Sequence, residues 1–396
     1  MDAAQIHDLA NNLPTSPSAR LEIYEAAKEL LHRAEPARET CFRLFTSNGV
    51  AAAGISAIDL GLFRILGKNP QQSHTCQELS SATGADAILI LRLLRTLAAW
   101  GFVAHVGLDT FQATNNTVAL TSAFAEECGQ MQTQFHGPML LAVPAYLKEI
   151  GYKNPSDTSH TPFHVSYNTD MEVMAWLAAN PEWFAKVMAF FPVQRDLQLP
   201  WMSRAKFLEG FDLEMAEDEV RSGRALFVDV GGAVGHQSIA FRESNPQLKG
   251  AVILQDLPFA ADMASKDPRF AELDIKAQAH DFLTPQTLEA RGAKIFYLRN
   301  VLHDWADEKN LVILKHIADV MAEDSLLIID EAVVPDKDVA VPVAAYDMVM
   351  LAFVCAQERS EGLWRDLLER QAGLKIRDIR VYDEGTSDSL IFVSKS

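Results

Sequence analysis

Five short apolar runs, separated by longer helical stretches, dominate the second half of the 396-residue chain. The runs show no alternation of polar and apolar residues, which is the pattern of strands covered on both faces in a parallel sheet. Strands that alternate with helices in this way form a doubly wound α/β domain. The predicted strands are Ala225–Val230, Ala251–Leu254, Lys294–Leu298, Ser325–Glu331 and Leu390–Ser394.

The first predicted strand runs into a glycine turn at 231–235, just before a helix. Such a turn lets a ligand approach the backbone closely. The second strand is followed by Asp256 and Leu257, and Asp256 lies 25 residues after Gly231. A carboxylate at this place can accept hydrogen bonds from both hydroxyls of a ribose. The pair therefore indicates a nucleoside cofactor, with a helix cap as the alternative role for Asp256.

The segment 75–113 has the elements of a winged helix. Thr75 and Asp86 are predicted to cap two helices separated by a turn at Gly84, and a hairpin follows. One interpretation is a DNA-binding regulator, and the other is a structural or dimerisation module. The formal net charge of −18 disfavours nucleic acid, because an acidic protein repels phosphate backbones.

The N-terminal residues predict three helices, at 18–34, 39–49 and 51–65. The third is almost wholly apolar, and a helix that is apolar on all faces must be buried on all faces. We therefore expect a homodimer. The sequence predicts no signal peptide and no membrane span. Its four cysteines lack metal-ligand spacing, which favours the cytoplasm and no bound metal.

These patterns divide the chain into three predicted parts. Residues 1–125 form an N-terminal helical and winged-helix domain for dimerisation. Residues 126–205 form a helical connector that lines a substrate pocket and breaks at 151–157. Residues 206–396 form a Rossmann-like cofactor-binding domain.

Five ordered motifs resemble those of the class I methyltransferases. Among these, the resemblance is closest to the plant and fungal small-molecule O-methyltransferases related to caffeate O-methyltransferase. It covers nearly the whole chain, including the winged helix, which serves dimerisation in that family. The motifs are Val228-Asp229-Val230-Gly231-Gly232, Gln255-Asp256-Leu257-Pro258, His280-Asp281-Phe282, Tyr297-Leu298-Arg299-Asn300-Val301-Leu302-His303-Asp304-Trp305 and Ile329-Asp330-Glu331.

The resemblance implies S-adenosylmethionine as cofactor and assigns the residues around it. Gly231 and Gly232 would approach its methionine part, Asp256 and Leu257 its ribose, and Asp281 and Phe282 its adenine, with Arg299 nearby. His303 would be the general base, oriented by Glu331 and Glu358. One departure is Ala233, which stands where the family usually has glycine.

The chemistry of methyl transfer agrees with these assignments. A sulfonium is already activated, so the enzyme has to align the acceptor oxygen and remove its proton. An imidazole has a suitable pKa for that step. The alternative for His303 is a histidine at a helix start, bonded to Asp304 or Asp307. A NAD-dependent reductase is a further interpretation of the same fold, but it leaves the motif around His303 without a role.

The scaffold also resembles fungal methyltransferase-like proteins that catalyse dehydration or pericyclic reactions. In that interpretation His136 and Arg299 would donate hydrogen bonds to a substrate carbonyl. Under either interpretation the ligand is a small molecule such as a phenol or polyketide, because the predicted wall is apolar and rich in methionine. The predicted wall residues are Met350, Val354, Phe163, Trp176 and His136.

Overall fold

A computed structural model describes residues 2–196, 202 and 208–396. The chain divides into two compact units, one ending at Glu126 and the other beginning at Glu127. The first unit contains α1 (Ala3–Asn11), α2 (Pro17–Ala34), α3 (Ala37–Phe45), α4 (Ser47–Asp59), α5 (Leu62–Lys68), β1 (Ser73–Thr75), α6 (Cys76–Thr83), α7 (Ala87–Ala99), β2 (Val103–Gly107), β3 (Thr110–Ala113) and α8 (Asn115–Ala119).

In the first unit the predicted caps are confirmed. The Thr75 side chain accepts a hydrogen bond from the Glu78 amide in a capping box, and Asp86 caps α7 through the amides of Ile88 and Leu89. The strands pair in the order β1-β3-β2, all antiparallel. The side chains of α6 and α7 pack with the hairpin around one apolar core.

The predicted single helix at 51–65 is wrong. Gly61 has φ of +68°, a left-handed conformation that ends α4 and starts α5 in a new direction. Within the described residues no single helix is both long and apolar enough to cross a membrane. The α4–α5 pair meets that length and composition only jointly, with a bend of 69°.

The second unit begins within α9 (Ala123–Gln130), which continues through a π-helical turn (Met131–Phe135) into α10 (His136–Glu149). The predicted break after α10 is confirmed. The other helices are α11 (Pro162–Tyr167), α12 (Val173–Ala179), α13 (Pro181–Asp196), α14 (Glu217–Arg221), α15 (His236–Ser244), α16 (Pro258–Ser265), α17 (Pro268–Glu272), α18 (Asp307–Val320), α19 (Val341–Val354) and α20 (Glu361–Arg365), with a 3-10 turn (Leu302–Asp304) before α18 and a π-helical turn (Asp366–Gln371) after α20.

The strands of the second unit form one mixed sheet. They are β4 (Ala225–Val230), β5 (Ala251–Asp256), β6 (Ile275–Ala279), β7 (Ile295–Arg299), β8 (Leu326–Val334), β9 (Arg359–Ser360), β10 (Leu374–Asp383) and β11 (Asp388–Lys395). Their order is β10-β11-β8-β7-β4-β5-β6, and β9 pairs with the end of β8.

All five predicted strands are present, but the expectation of an all-parallel sheet is wrong at one edge. Strands β4 to β8 are parallel, whereas β11 runs antiparallel to β8 and β10 antiparallel to β11. Strands β6, β9 and β10 were not predicted. Strand β10 alternates polar and apolar residues because one face is partly open to solvent.

The core of the second unit lies on both faces of this sheet. One apolar cluster includes Phe296, Leu298 and Ile329, and the other includes Phe227, Tyr297 and Ile328. The carboxyl ends of β4, β5, β7 and β8 meet at one edge because these strands are parallel neighbours. Ligands of open α/β sheets bind outside this edge.

Candidate active site

The glycine turn after β4 is packed tightly against neighbouring side chains. A Cβ atom at Gly232 would lie 2.6 Å from the Asp229 carboxyl carbon, and one at Gly231 would lie 2.9 Å from Val301 Cγ2. Gly231 has φ of +75° and Ala233 has φ of +51°, so both occupy the left-handed region. The turn therefore needs glycine at positions 231 and 232, and it holds one alanine in a conformation that disfavours a side chain.

Asp256 joins this turn to the end of β5. Its Oδ2 accepts the Ala233 amide at 2.8 Å, and its Oδ1 accepts the Leu257 amide at 2.7 Å. Burial raises the pKa of Asp256, although the two amides oppose that effect. The Gly231 amide donates to the Gln255 carbonyl at 2.8 Å, so the predicted nucleoside-binding residues Gly231, Asp256 and Leu257 lie together at the end of β5.

Phe282 completes the same edge of the sheet after β6. A Cβ atom at Gly231 would lie 3.5 Å from its ring, and its ring meets that of Trp305 edge to face with centroids 6.0 Å apart. Asp281 is exposed and accepts the Leu283 amide at 2.9 Å. A backbone cradle, a half-buried carboxylate and an aromatic face therefore lie together, and they fit a nucleoside with a polar tail.

His303 lies on the 3-10 turn after β7, surrounded by carboxylates. Its Nδ1 is 2.8 Å from Glu358 Oε1 and 3.8 Å from Glu331 Oε2, and its Nε2 is 3.5 Å from Asp304 Oδ1. Glu331 is fully buried near the end of β8, and its Oε1 accepts the amides of Val301 and Leu302, each at 2.9 Å. The structure thus brings the predicted histidine and both predicted carboxylates together.

Burial and neighbouring charges act in opposite directions on the pKa values of these groups. Burial alone would lower the pKa of His303, but the charges of Glu331, Asp304 and Glu358 raise it well above its usual value. Burial raises the pKa of Glu331 to about 7 against the opposing effect of His303. The Oε2 atom of Glu331 is buried without a hydrogen-bond partner. It is therefore available to an imidazolium that moves toward it.

His303, Glu331 and Glu358 have the composition of a metal site, since their ligating atoms all lie within 4.8 Å of one another. His303 Nδ1 is nevertheless engaged by Glu358 at 2.8 Å. A ring whose pKa is raised well above normal also holds its proton against a cation. The absence of a metal stays a prediction.

Sequence reasoning missed Asp347, which holds Glu358 in place. The Asp347 Oδ1 atom in α19 accepts the Glu358 amide at 2.9 Å, and burial raises the pKa of Asp347. A signal was present, because Asp347 is the single charged residue of α19. An acidic residue in an otherwise apolar helix needs a buried partner.

Arg299 does not join the His303 cluster. Its Nη1 donates to Asp330 Oδ2 at 2.8 Å and to the Tyr382 hydroxyl at 3.2 Å. Asp330 and Glu331 are consecutive residues of β8, so their side chains leave opposite faces of the sheet. Arg299 and His303 therefore contact carboxylates on different faces, and the predicted roles of Arg299 at the cofactor and substrate stay predictions.

His136 is buried at the start of α10. Its Nδ1 lies 3.3 Å from Gln132 Oε1, and its ring lies 6.2 Å from that of Phe353 on α19. Burial lowers the pKa of His136 to about 4, so the ring is neutral at physiological pH.

The other predicted wall residues fall into two groups. Phe163 and Trp176 meet edge to face at 5.4 Å within an apolar core, and Phe163 is 0% exposed. Their position favours packing over ligand contact, as the core of these helices requires. Met350 and Val354 lie one turn apart on α19, which packs against the 3-10 turn that carries His303.

The chain is similar to known proteins in sequence and in fold. The sequence profile of the O-methyltransferase domain matches residues 205–375. O-methyltransferase ucdC of Aspergillus ustus is 31% identical and aligns over 95% of each chain. The structure of LepI in complex with SAM has 29% identity and a TM-score of 0.82, covering 99% of this chain and 97% of LepI. A structure described as a pericyclic reaction enzyme has 29% identity and a TM-score of 0.81, covering 99% of this chain and 98% of that enzyme.

Proposed function

The chain belongs to the O-methyltransferase family, and from that premise we propose that it transfers a methyl group from S-adenosylmethionine to a hydroxyl of a small aromatic or polyketide-type molecule. The observation that carries the proposal is His303, held at 2.8 Å by Glu358 beside the glycine turn and Asp256. A base and a nucleoside cradle at one edge of the sheet are what methyl transfer to oxygen requires.

The cofactor would lie against the cradle made by Gly231, Gly232 and Ala233. Asp256 would accept the ribose hydroxyls through its remaining lone pairs, with Leu257 beside it, because each of its oxygens already receives one backbone amide. Asp281 and Phe282 would flank the adenine. When bound, the cofactor supplies an activated methyl group on a sulfonium.

His303 would take the proton of the acceptor hydroxyl at Nε2. Its Nδ1 faces Glu358, so the carboxylates on that side stabilise the imidazolium once it forms. They also raise the pKa of His303 well above its usual value. Only the unprotonated ring can accept the proton of the acceptor, so methyl transfer should speed up as the pH rises.

The substrate would lie along α19. Met350 and Val354 share one face of this helix, and the helix touches the turn of His303. An apolar and polarisable wall suits a flat, weakly polar ligand. Phe163 and Trp176 belong to the apolar core against which Val354 packs, and the His136 ring lies 6.2 Å from that of Phe353 on the same helix. These residues would support the wall.

We also propose a homodimer built on the N-terminal helices, with the segment 75–113 acting as a winged helix for assembly and not for DNA. Of the side chains that the structure describes before Ala53, none is buried, and Leu21 and Phe45 are 60% and 77% exposed. Helices that bury nothing are marginal in water. Association with a second copy would bury them. The three predicted parts, 1–125, 126–205 and 206–396, remain our division by function.

A pericyclic or dehydration reaction of a polyketide is the second candidate. It has support from the similarity to the pericyclic reaction enzyme and from His136, whose neutral buried ring can polarise a carbonyl through an N–H group. The ion pair of Arg299 with Asp330 disfavours it, because that pair occupies one of the proposed donors.

The test incubates the protein with S-adenosylmethionine and a panel of phenols, enols and pyridones, followed by mass spectrometry. We expect a product heavier by one methylene, formed together with S-adenosylhomocysteine and lost in His303→Ala. His160→Ala serves as the matched control, because His160 is exposed and lies outside the site. An isomerised or dehydrated product without S-adenosylhomocysteine would support the second candidate instead.

A further inference from the structure

The backbone of the turn that carries His303 is held by two buried side chains. The Leu302 carbonyl accepts Asn310 Nδ2 at 2.9 Å and Arg359 Nη1 at 3.1 Å. The Trp305 carbonyl accepts Asn310 Nδ2 at 2.9 Å and Arg359 Nη2 at 3.1 Å. The two carbonyls that flank His303 and Asp304 are therefore each fixed twice.

Arg359 is well suited to this task. It is 1% exposed, its Nη2 lies 2.7 Å from Asp307 Oδ1, and its guanidinium lies 5.2 Å from the centre of the Trp364 ring. The planar group reaches two carbonyls and a carboxylate at once. A lysine in its place could not make this fork, because its ammonium is a point donor.

The turn borders an open cleft on one side. This cleft of about 190 Å³ is lined by Trp305, Ala306 and Asp307, together with Gln357 and Arg359. The bonds from Arg359, which lines the cleft, therefore supply fixed contacts to the turn on that side.

The same short segment also holds the partner of the imidazole. Glu358 and Arg359 are consecutive, and Arg359 pairs with Val333 where β9 joins β8, two residues beyond Glu331. One segment thus brings Glu358 to His303 Nδ1 and Arg359 to the backbone beneath it. The imidazole of His303 and the carboxylates of Glu358 and Glu331 are therefore connected through the pairing of β9 with β8.

We infer that Arg359 is a positioning residue, which, with Asn310, sets the orientation of His303 for proton removal. The inference rests on the proposed role of His303 as the base. It assigns Arg359 no contact with cofactor or substrate. Loss of the guanidinium fork would let the turn move relative to Glu358 and Glu331 while the cradle around Asp256 stays intact.

The test compares Arg359→Lys with Arg365→Lys, a matched change at an exposed arginine of α20 that pairs with Glu361. We expect kcat per folded protein to fall about 10- to 100-fold in Arg359→Lys, as for other losses of supporting contacts. The KM for S-adenosylmethionine should change less than about twofold. Asn310→Ala, which removes two of the four bonds without changing a charge, should act in the same direction if Arg359→Lys fails to fold.

A second readout does not depend on turnover. The imidazole signals of His303, identified by their absence in His303→Gln, can be titrated by NMR. Weaker contact with the carboxylates should lower the pKa of His303 in Arg359→Lys relative to the wild type and to Arg365→Lys.

Equal kcat values in Arg359→Lys and its control would overturn the inference. So would a loss of activity that follows only the folded fraction, with an unchanged titration of His303. If the wild type transfers no methyl group, the proposed function fails, while the titration still decides whether Arg359 positions His303.

Discussion

Replacing Ala233 with glycine should stabilise the protein, although glycine usually destabilises. Ala233 has φ of +51° in the turn between β4 and α15, where a Cβ atom crowds the following carbonyl. Its amide bond to Asp256 at 2.8 Å does not involve the side chain and is retained in the variant. The substitution therefore removes strain without removing a known contact.

The expected gain follows from two opposing effects. A left-handed residue costs about 1–2 kcal/mol when it carries a Cβ atom. Glycine offsets about 0.4–1 kcal/mol of this gain, because it gives the unfolded chain additional conformational entropy. We expect a net gain of about 0.5–1 kcal/mol, or roughly 1–4 °C in the melting temperature of a domain of this size.

Thermal and denaturant unfolding of Ala233→Gly and Ala185→Gly measure this difference. Ala185 is exposed within α13, so the same chemical change there should cost about 1 kcal/mol. The two variants should thus move in opposite directions. The reasoning is refuted if Ala233→Gly is destabilised as much as Ala185→Gly, since the turn would then favour a Cβ atom.

Three further predictions concern charge. Initial rates of methyl transfer should rise with pH as His303 loses its proton. Glu358→Gln should move this rise to lower pH, because it removes one of the charges that raise the pKa of His303. An unchanged midpoint would contradict the contact assigned to Glu358. Burial raises the pKa of Asp388 to about 7, so its ionised form destabilises the fold and stability is lost as the pH rises from about 4 to about 7. Asp388→Asn should therefore raise the free energy of unfolding at pH ~8, by at most about 4 kcal/mol, and give no gain at pH ~4; equal effects at both would argue against the raised pKa. Treatment with a chelator should leave the rate of methyl transfer unchanged, and a loss restored by a divalent cation would show that the His303 cluster binds a metal.

The sequence was most informative where burial is complete. The runs Ala225–Val230 and Ser325–Glu331 are apolar because both faces of these strands are covered, and this pattern predicts a strand without knowledge of its neighbours. Strand β6 (Ile275–Ala279) lies at an edge and contains Lys276 and Gln278, so its composition does not mark it as a strand. The break at Gly61 was missed because apolar composition does not report backbone conformation.

The residues of the site differ in the same way. His303, Glu331 and Glu358 were predicted from motifs, and the structure brings them together. Arg359 and Asp347 act on backbone atoms, and such contacts carry no pattern in one sequence because any residue offers the same carbonyl and amide. Their roles could be identified only from the folded structure.

The most direct test of the central claim is the transfer of a labelled methyl group. The protein would be incubated with trideuteromethyl S-adenosylmethionine and an accepted phenol or polyketide, with His303→Ala measured in parallel. We predict one trideuteromethyl group per product molecule, equal amounts of product and S-adenosylhomocysteine, and loss of both in the variant. An unlabelled product formed without S-adenosylhomocysteine would contradict methyl transfer by this chain.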